Sequence, residues 1–247
     1  MKKEISFKNN KGQTLMGDLY VPENKYKLKY PTVIVCHGLC GNKDAQNKVD
    51  LAEELYKNDF IVLKFDFHGH GKSEGDFSDI TLTQEVDDVK AAIEALYDLP
   101  KVDKKKLGLV GHSLAGAVAI VMAATDSRIK SAVSIAGVID MIRPLNCFVG
   151  TQAVKNWKQN PIEAEPGMHL NHSFIVDFNK HDMLKYVKKI KIPFLVVHGR
   201  KDCTVGMSQA KAIAKAANAP LKVVDEDHDF GKESIKAAVE WFKKTLG

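Results

Sequence analysis

The sequence predicts an α/β protein with a mostly parallel sheet that is covered by helices on both faces. Short, mostly apolar runs such as 32–36 (TVIVC) and 60–65 (FIVLKF) alternate with segments of helical periodicity. Such strands are typical of a parallel sheet with both faces buried. The length of 247 residues and the hydrophobic content of 45% suit one large domain with a sizeable core.

The first residues follow a different pattern from the rest. Ile5–Phe7 and Leu15–Val21 flank the turn signal 9–12 (NNKG), which predicts an antiparallel hairpin at the edge of the sheet. The later apolar runs predict strands at 32–36, 60–65, 107–110, 132–135, 193–197 and 221–224. The periodic segments between them predict helices at 50–58, 83–96, 113–124, 208–217 and 233–246.

The alternation of strands and helices stops between about residues 139 and 189. Trp157, Phe174 and two prolines are interspersed there with polar residues, without a clear rhythm. An irregular insertion of that length inside a compact domain is usually functional. We expect a small cap or lid over residues 138–190, which divides the core into 1–137 and 191–247. The alternative is a pair of ordinary surface helices joined by long loops.

Ser113 is the candidate nucleophile because of its local sequence. It lies in the segment 111–116 (GHSLAG), directly between a predicted strand and a predicted helix. A serine on that sharp turn presents its hydroxyl at the end of the sheet. Small neighbours are needed because the two backbones come close there. Ala115 replaces the last glycine of the pattern G-x-S-x-G, but it is also small, and Gly116 follows it.

A nucleophilic serine needs a base, and the base needs an orienting acid. Asp202 follows the predicted strand that ends at Val197, and His228 follows the one that ends at Val224. Both loops should emerge at the same edge of a parallel sheet as Ser113. His228 has other acidic neighbours within 225–229, but neighbours in sequence rarely point at the same imidazole nitrogen. We therefore favour Asp202 as the acid and disfavour a metal site.

The glycine-bearing loop 37–41 (HGLCG) follows the strand 32–36 and can supply backbone N–H groups to an oxyanion. The expected donors are the amides of Leu39 and Leu114. A second glycine-rich loop, 66–75 (DFHGHGKSEG), lacks the spacing of a phosphate-binding loop. Its two histidines are interpreted as structural, since no further metal ligands are suggested.

The composition disfavours several other classes of protein. The net charge of +5 is modest and spread along the chain, without the basic clusters that nucleic-acid binding requires. No apolar run approaches the length of a membrane span, and no signal peptide is expected. The four cysteines have no framework spacing, so we expect a reduced, cytoplasmic protein. The sequence leaves the oligomeric state open, a homodimer included.

Five motifs together resemble the α/β-hydrolase superfamily across nearly the whole chain. They are 37–43 (HGLCGNK), 66–75 (DFHGHGKSEG), 111–116 (GHSLAG), 198–205 (HGRKDCTV) and 227–230 (DHDF). The first two motifs and the short insertion after the sixth strand resemble the small bacterial and archaeal esterases that include the cinnamoyl (feruloyl) esterases. This resemblance implies an eight-stranded sheet, a small cap and hydrolysis of carboxylic esters without a cofactor. His68 departs from the arginine that is usual in the superfamily loop.

The residues and the resemblance together predict a serine hydrolase that acts on a small-molecule ester. Ser113 would attack the acyl carbonyl, His228 would move the proton and Asp202 would hold the imidazole. Three alternatives remain at this point: a peptidase or thioesterase with the same triad, a cofactor-free haloperoxidase-like activity, and a non-catalytic protein that binds a small ligand.

Overall fold

The computed structural model describes residues 1–23 and 28–247. Its strands are β1 (Lys2–Lys8), β2 (Thr14–Tyr20), β3 (Tyr30–Cys36), β4 (Ile61–Phe65), β5 (Val102–His112), β6 (Ser131–Ile135), β7 (Ile162–Glu165), β8 (Met168–Leu170), β9 (Phe194–Gly199) and β10 (Leu221–Val224). Its α-helices are α1 (Gln46–Lys57), α2 (Leu82–Tyr97), α3 (Leu114–Thr125), α4 (Ile142–Val149), α5 (Thr151–Asn156), α6 (Ser173–Phe178), α7 (Met183–Lys189), α8 (Met207–Ala217) and α9 (Lys232–Leu246).

The main sheet has eight strands in the order β1-β2-β4-β3-β5-β6-β9-β10. Strand β2 is antiparallel to both β1 and β4, and every other pairing is parallel. The predicted hairpin at the start of the chain and the mostly parallel eight-stranded sheet are therefore confirmed.

Side chains that point alternately to the two faces of the central strands form one hydrophobic core on each face of the sheet. Val33 belongs to the core under α1 and α9, while the next residue, Ile34, belongs to the core under α2, α3 and α8. Successive side chains of a strand point to opposite faces, so an uninterrupted apolar run fills both cores at once. All seven residues of β3 are buried, as the apolar pattern predicted.

The parallel strands bring four loops to one edge of the sheet. Cys36 at the end of β3 is paired with Gly111 in β5, and Gly199 at the end of β9 is paired with Val224 at the end of β10. The loops 37–41, 112–114, 200–205 and 225–230 follow these strands. We call these four loops the carboxyl edge.

The segment 138–190 is more regular than its sequence suggests. It contains α4, α5, the antiparallel pair β7–β8, α6 and α7. None of these elements exceeds eight residues. Periodicity over so few residues is weak, which is why the expectation of an irregular stretch was wrong. The indole N–H of Trp157 donates to the Leu170 carbonyl at 2.7 Å and joins the two halves of the segment.

Across residues 1–23 and 28–247, no helix has both the length and the apolar character that a membrane crossing requires.

Candidate active site

Ser113 lies at a sharp turn between β5 and α3. Its φ of 56° and ψ of −115° are strained for a residue with a side chain. A Cβ on Gly111 would lie 1.9 Å from the Ala115 carbonyl oxygen, and a Cβ on Gly116 would lie 2.5 Å from Cα of Gly137. Glycine is thus required at both positions, whereas Ala115 is accommodated in the core. The turn places Ser113 directly after the last residue of β5, at the end of the sheet.

His228 lies between Ser113 and Asp202. Its Nε2 is 3.1 Å from Oγ of Ser113, and its Nδ1 is 2.9 Å from Oδ2 of Asp202. The other oxygen of Asp202 accepts the backbone N–H groups of Thr204 at 2.9 Å and Val205 at 2.8 Å. The carboxylate is therefore held in one orientation, and the three side chains form one hydrogen-bonded chain.

The pKa of Asp202 is lowered, although burial by itself would raise it. The hydrogen bond and charge of His228, then the Val205 N–H, outweigh that burial. An anionic Asp202 requires the hydrogen of the imidazole on Nδ1, since a carboxylate only accepts. Nε2 of His228 is then free to accept the hydroxyl hydrogen of Ser113.

Two other acidic residues near His228 have different partners. Asp225 forms an ion pair with Lys201 at 3.2 Å. Glu226 accepts the backbone N–H of Glu233 at 2.7 Å and the hydroxyl of Ser234, at the start of α9. In the described ranges, Asp202 is therefore the acid hydrogen-bonded to the His228 ring.

The turn 38–41 brings a candidate oxyanion site beside Ser113. A Cβ on Gly38 would lie 2.9 Å from Cβ of Ser113, so the two backbones are in close contact. Gly41 N–H donates to the Gly38 carbonyl at 3.0 Å and closes the turn, with Cys40 at a φ of 58°. Leu39 occupies the next position of this turn. Leu114 is the first residue of α3, where an N–H has no acceptor within the helix.

A cavity of about 360 Å³ opens on Ser113 and His228. Most of its lining comes from the carboxyl edge and α1, while Phe148 and Glu165 come from the segment 138–190. Wider grooves of about 550 and 670 Å³ lie along α9, away from Ser113. Cavity volume therefore does not identify the active site in this protein. The site is identified by the positions of Ser113 and His228.

The histidines of the loop 66–75 contact structural groups. Nδ1 of His68 is 2.8 Å from the side-chain oxygen of Gln13, and Nδ1 of His70 is 2.9 Å from the His68 carbonyl. In the part of the chain that the structure describes, no group of three or more histidine, cysteine or carboxylate side chains is arranged to hold a metal ion.

Sequence reasoning missed several residues that surround the site. Lys48 in α1 and His112 beside Ser113 both line the cavity, as do Phe148 and Glu165. His112 was visible within the motif 111–116, although no role was assigned to its side chain. Lys48 had no local signal, because it resembles any other lysine of an amphipathic helix.

The eight-stranded sheet and the serine at a strained turn after β5 define a class of protein. The family described as the α/β hydrolase fold matches residues 31–167, which is more than half of the chain. The chain therefore belongs to the α/β hydrolase family, and the resemblance of its motifs to that superfamily is confirmed.

Proteins similar to this chain include an esterase and a thioesterase. Est1E from Butyrivibrio proteoclasticus, solved with ferulic acid bound, is similar over 97% of this chain and 96% of its own, with a TM-score of 0.84 and 24% identity. The Pyrococcus furiosus esterase Pf2001 is similar over 100% of this chain and 94% of its own, with a TM-score of 0.75 and 25% identity. Human mitochondrial palmitoyl-protein thioesterase ABHD10 is 22% identical over 90% of this chain and 74% of its own.

Proposed function

We propose that this protein is a serine hydrolase that cleaves carboxylic esters by a two-step acyl transfer to water. The observation that carries the proposal is the hydrogen-bonded chain from Ser113 through His228 to Asp202, with distances of 3.1 and 2.9 Å. Groups from three separate loops meet in this chain at the end of the sheet. Such an arrangement activates a serine hydroxyl that is a weak nucleophile by itself.

In the first step Oγ of Ser113 attacks the acyl carbonyl while Nε2 of His228 takes the hydroxyl proton. The carbonyl oxygen becomes negatively charged, and the amides of Leu39 and Leu114 stabilise it. The tetrahedral intermediate collapses, the bond to the alcohol oxygen breaks, and His228 returns the proton to that oxygen. The alcohol leaves, and the acyl group remains on Ser113.

In the second step a water molecule repeats the attack on the acyl-enzyme. His228 takes one proton from the water and returns it to Oγ of Ser113 as the acid product leaves. Asp202 stabilises the imidazolium that forms in each step, and it keeps the hydrogen of the resting ring on Nδ1. This sequence requires water and the protein's own groups, and no cofactor.

The proposed substrates are short-chain acyl esters or esters of cinnamic acids such as ferulic acid. Two observations favour this range: the ferulic acid bound by the structural relative Est1E, and a cavity of about 360 Å³ with the apolar side chains of Leu39 and Phe148. In this proposal the segment 138–190 acts as a cap, and it contributes to the choice of substrate through Phe148 and Glu165.

A thioesterase is the second candidate. It is favoured by the similarity to ABHD10, a palmitoyl-protein thioesterase, over 90% of the chain. The same serine, histidine and aspartate would act on a thioester carbonyl. The size of the leaving group and the length of the acyl chain would then distinguish the two activities.

A fluorophosphonate probe and a substrate panel test the proposal together. We expect the probe to label Ser113, as identified by mass spectrometry, and the protein to hydrolyse p-nitrophenyl esters faster than acyl thioesters or aminoacyl amides. Ser113→Ala should abolish labelling and lower ester turnover by several powers of ten. Ser127→Ala, which changes an exposed serine beyond α3, is the matched control.

Two results would contradict the ester hydrolase. Faster turnover of thioesters would favour the thioesterase. A folded protein that is neither labelled nor active would favour a protein that binds a small ligand without catalysis.

A further inference from the structure

Lys48 is a buried lysine at the candidate active site. Its side chain extends from α1 into the lining of the cavity that opens on Ser113, and the residue is only 4% exposed. Its Nζ lies 3.1 Å from Nδ1 of His112 and 4.8 Å from the centre of the Phe230 ring. Within the described part of the chain, no carboxylate forms an ion pair with this ammonium group.

His112 connects Lys48 to the backbone of His228. Its Nε2 lies 2.8 Å from the His228 carbonyl oxygen. A carbonyl oxygen can only accept, so Nε2 of His112 must carry the hydrogen. In a neutral ring Nδ1 then has a free lone pair, which accepts an N–H of Lys48. The pKa of His112 lies well below its usual value, because of burial and of the neighbouring charge of Lys48, so the ring stays neutral.

This arrangement spans three separate parts of the chain. Lys48 is on α1, His112 is the residue immediately before Ser113, and His228 is on the loop after β10. The rings of His112 and His228 lie 4.9 Å apart, and the His112 ring meets Phe230 edge-on at 5.2 Å. The side chains of Asp227 and Asp229 are exposed on either side of His228. The contacts of His112 with the His228 carbonyl and with the Phe230 ring therefore help to hold this loop.

A buried ammonium group without a carboxylate partner is costly for the folded state. Burial lowers the pKa of Lys48 to about 8, against the attraction of Asp229. The other titratable groups that act on this environment are His112, His37 and His228. An apolar side chain would fill the same space without that cost. A charge buried at such a cost next to the candidate base is typical of a functional site.

We propose that Lys48 is a positioning residue, which through His112 fixes the backbone of His228 and thereby aligns its imidazole with Oγ of Ser113. This inference rests on the proposed function of Ser113 and His228. Lys48 contacts neither of the side chains that exchange the proton, so its effect is on the geometry of the base. A small displacement of a catalytic group lowers the rate steeply.

The test compares Lys48→Met with Lys57→Met. Methionine keeps an unbranched apolar side chain and removes the donor, while Lys57 is an exposed lysine at the end of the same helix. We expect Lys48→Met to remain folded and to lower kcat on p-nitrophenyl acetate by about 10- to 100-fold, with KM changed less than about threefold. Lys57→Met should behave as the unchanged protein.

The pH profile separates positioning from packing. Loss of the Lys48 proton leaves a weaker, uncharged donor. We therefore expect kcat of the unchanged protein to fall as the pH rises through about 8, the pKa of Lys48. Lys48→Met should lack that inflection. An inflection retained in Lys48→Met would overturn the assignment to Lys48.

Nitrogen-15 NMR tests the contacts of His112 without a measurement of activity. We expect His112 to be neutral with its hydrogen on Nε2. In Lys48→Met, the Nδ1 resonance of His112 should shift towards that of an imidazole nitrogen that accepts no hydrogen bond. A hydrogen on Nδ1 in the unchanged protein would overturn the inference even if esters are hydrolysed.

Three further outcomes are distinguishable. Ester turnover that depends on Ser113 but is equal in Lys48→Met would reject the inference and leave the proposed function standing. A raised KM confined to the anionic ester p-nitrophenyl succinate, with kcat unchanged, would mean that Lys48 binds substrate instead. Absence of all turnover in the unchanged protein would reject both proposals, whatever the NMR result.

Discussion

The carboxyl edge and the segment 138–190 meet at the same cavity but are held in different ways. At the carboxyl edge each side chain of the proposed triad follows a strand whose partners fix its position, and Asp202 is further held by two backbone N–H groups. The segment consists of short elements without a strand in the main sheet. The proposed chemistry thus lies on loops that the sheet positions. The contacts expected to select the substrate lie on a segment that has no strand in that sheet.

The apolar side chains of the segment 138–190 differ in burial. In its second half Phe174 is fully buried, and the carboxylate of Asp177 accepts both the backbone N–H of Thr83 at 3.0 Å and its hydroxyl at 2.8 Å. In its first half Ile142 and Phe148 are 41% and 40% exposed. Phe148, which lines the cavity, is therefore one of the exposed apolar side chains of the segment.

The largest expected effect is on the carboxyl edge, in Asp202→Asn. Asparagine can still accept the N–H groups of Thr204 and Val205, but its amide would face Nδ1 of His228 and favour the wrong tautomer. We expect kcat on a p-nitrophenyl ester to fall by about 10³- to 10⁴-fold while the fold is retained. Asp225→Asn, at an exposed ion pair, should have little effect. A loss below tenfold would place the orienting acid elsewhere.

Two phenylalanines distinguish a buried position of the segment from an exposed one. Phe174→Ala should lower the free energy of unfolding by about 3–5 kcal/mol, since it empties a buried site. Phe148→Ala should change stability by less than about 0.5 kcal/mol but should raise KM for aromatic esters. Urea denaturation and steady-state kinetics measure the two effects. Equal destabilisation would mean that Phe148 is as firmly packed as Phe174.

The turn at Ser113 allows a matched pair of substitutions. Gly111→Ala places a Cβ 1.9 Å from the Ala115 carbonyl oxygen and should cost about 3 kcal/mol of stability. Ala115→Gly, which restores the usual superfamily residue, should cost about 1 kcal/mol through helix propensity alone. Thermal unfolding of both variants gives the comparison. A tolerated Gly111→Ala would show that the backbones there can separate.

The smallest effect concerns Glu85 in the first turn of α2, whose two carboxylate oxygens are buried without a partner in the described residues. Burial, and then the charge of Asp88, raise the pKa of Glu85 well above its usual value. Folding therefore favours the protonated form of Glu85. As the pH rises above the usual pKa of glutamic acid towards the raised pKa of the folded state, this preference makes the folded protein progressively less stable.

Glu85→Gln should accordingly raise Tm at pH 8 by about 3 °C, corresponding to about 1 kcal/mol, with a smaller difference at pH 4. Melting curves at both pH values measure this. A variant that is less stable than the unchanged protein at pH 8 would mean that the carboxylate has a partner.

The sequence predicted the sheet and the proposed triad from local patterns. Continuous apolar runs such as 32–36 marked the strands, and their order implied where the loops with Asp202 and His228 emerge. Lys48 was beyond such reasoning because its contact with His112 joins residues 64 positions apart, and neither residue has a distinctive local pattern for that contact. The helices around Phe148 were missed because one or two turns are too short to produce a measurable period.

The hydrogen bond between Ser113 and His228 joins residues 115 positions apart in the chain. During refolding, α1 and α3 can form from nearby residues, but this bond requires β5, β6, β9 and β10 to be in register. Contacts between such distant residues form late and slowly, because a long loop must first be closed. Recovery of activity should then lag behind recovery of helical structure, and an intermediate with most of its helices would be inert.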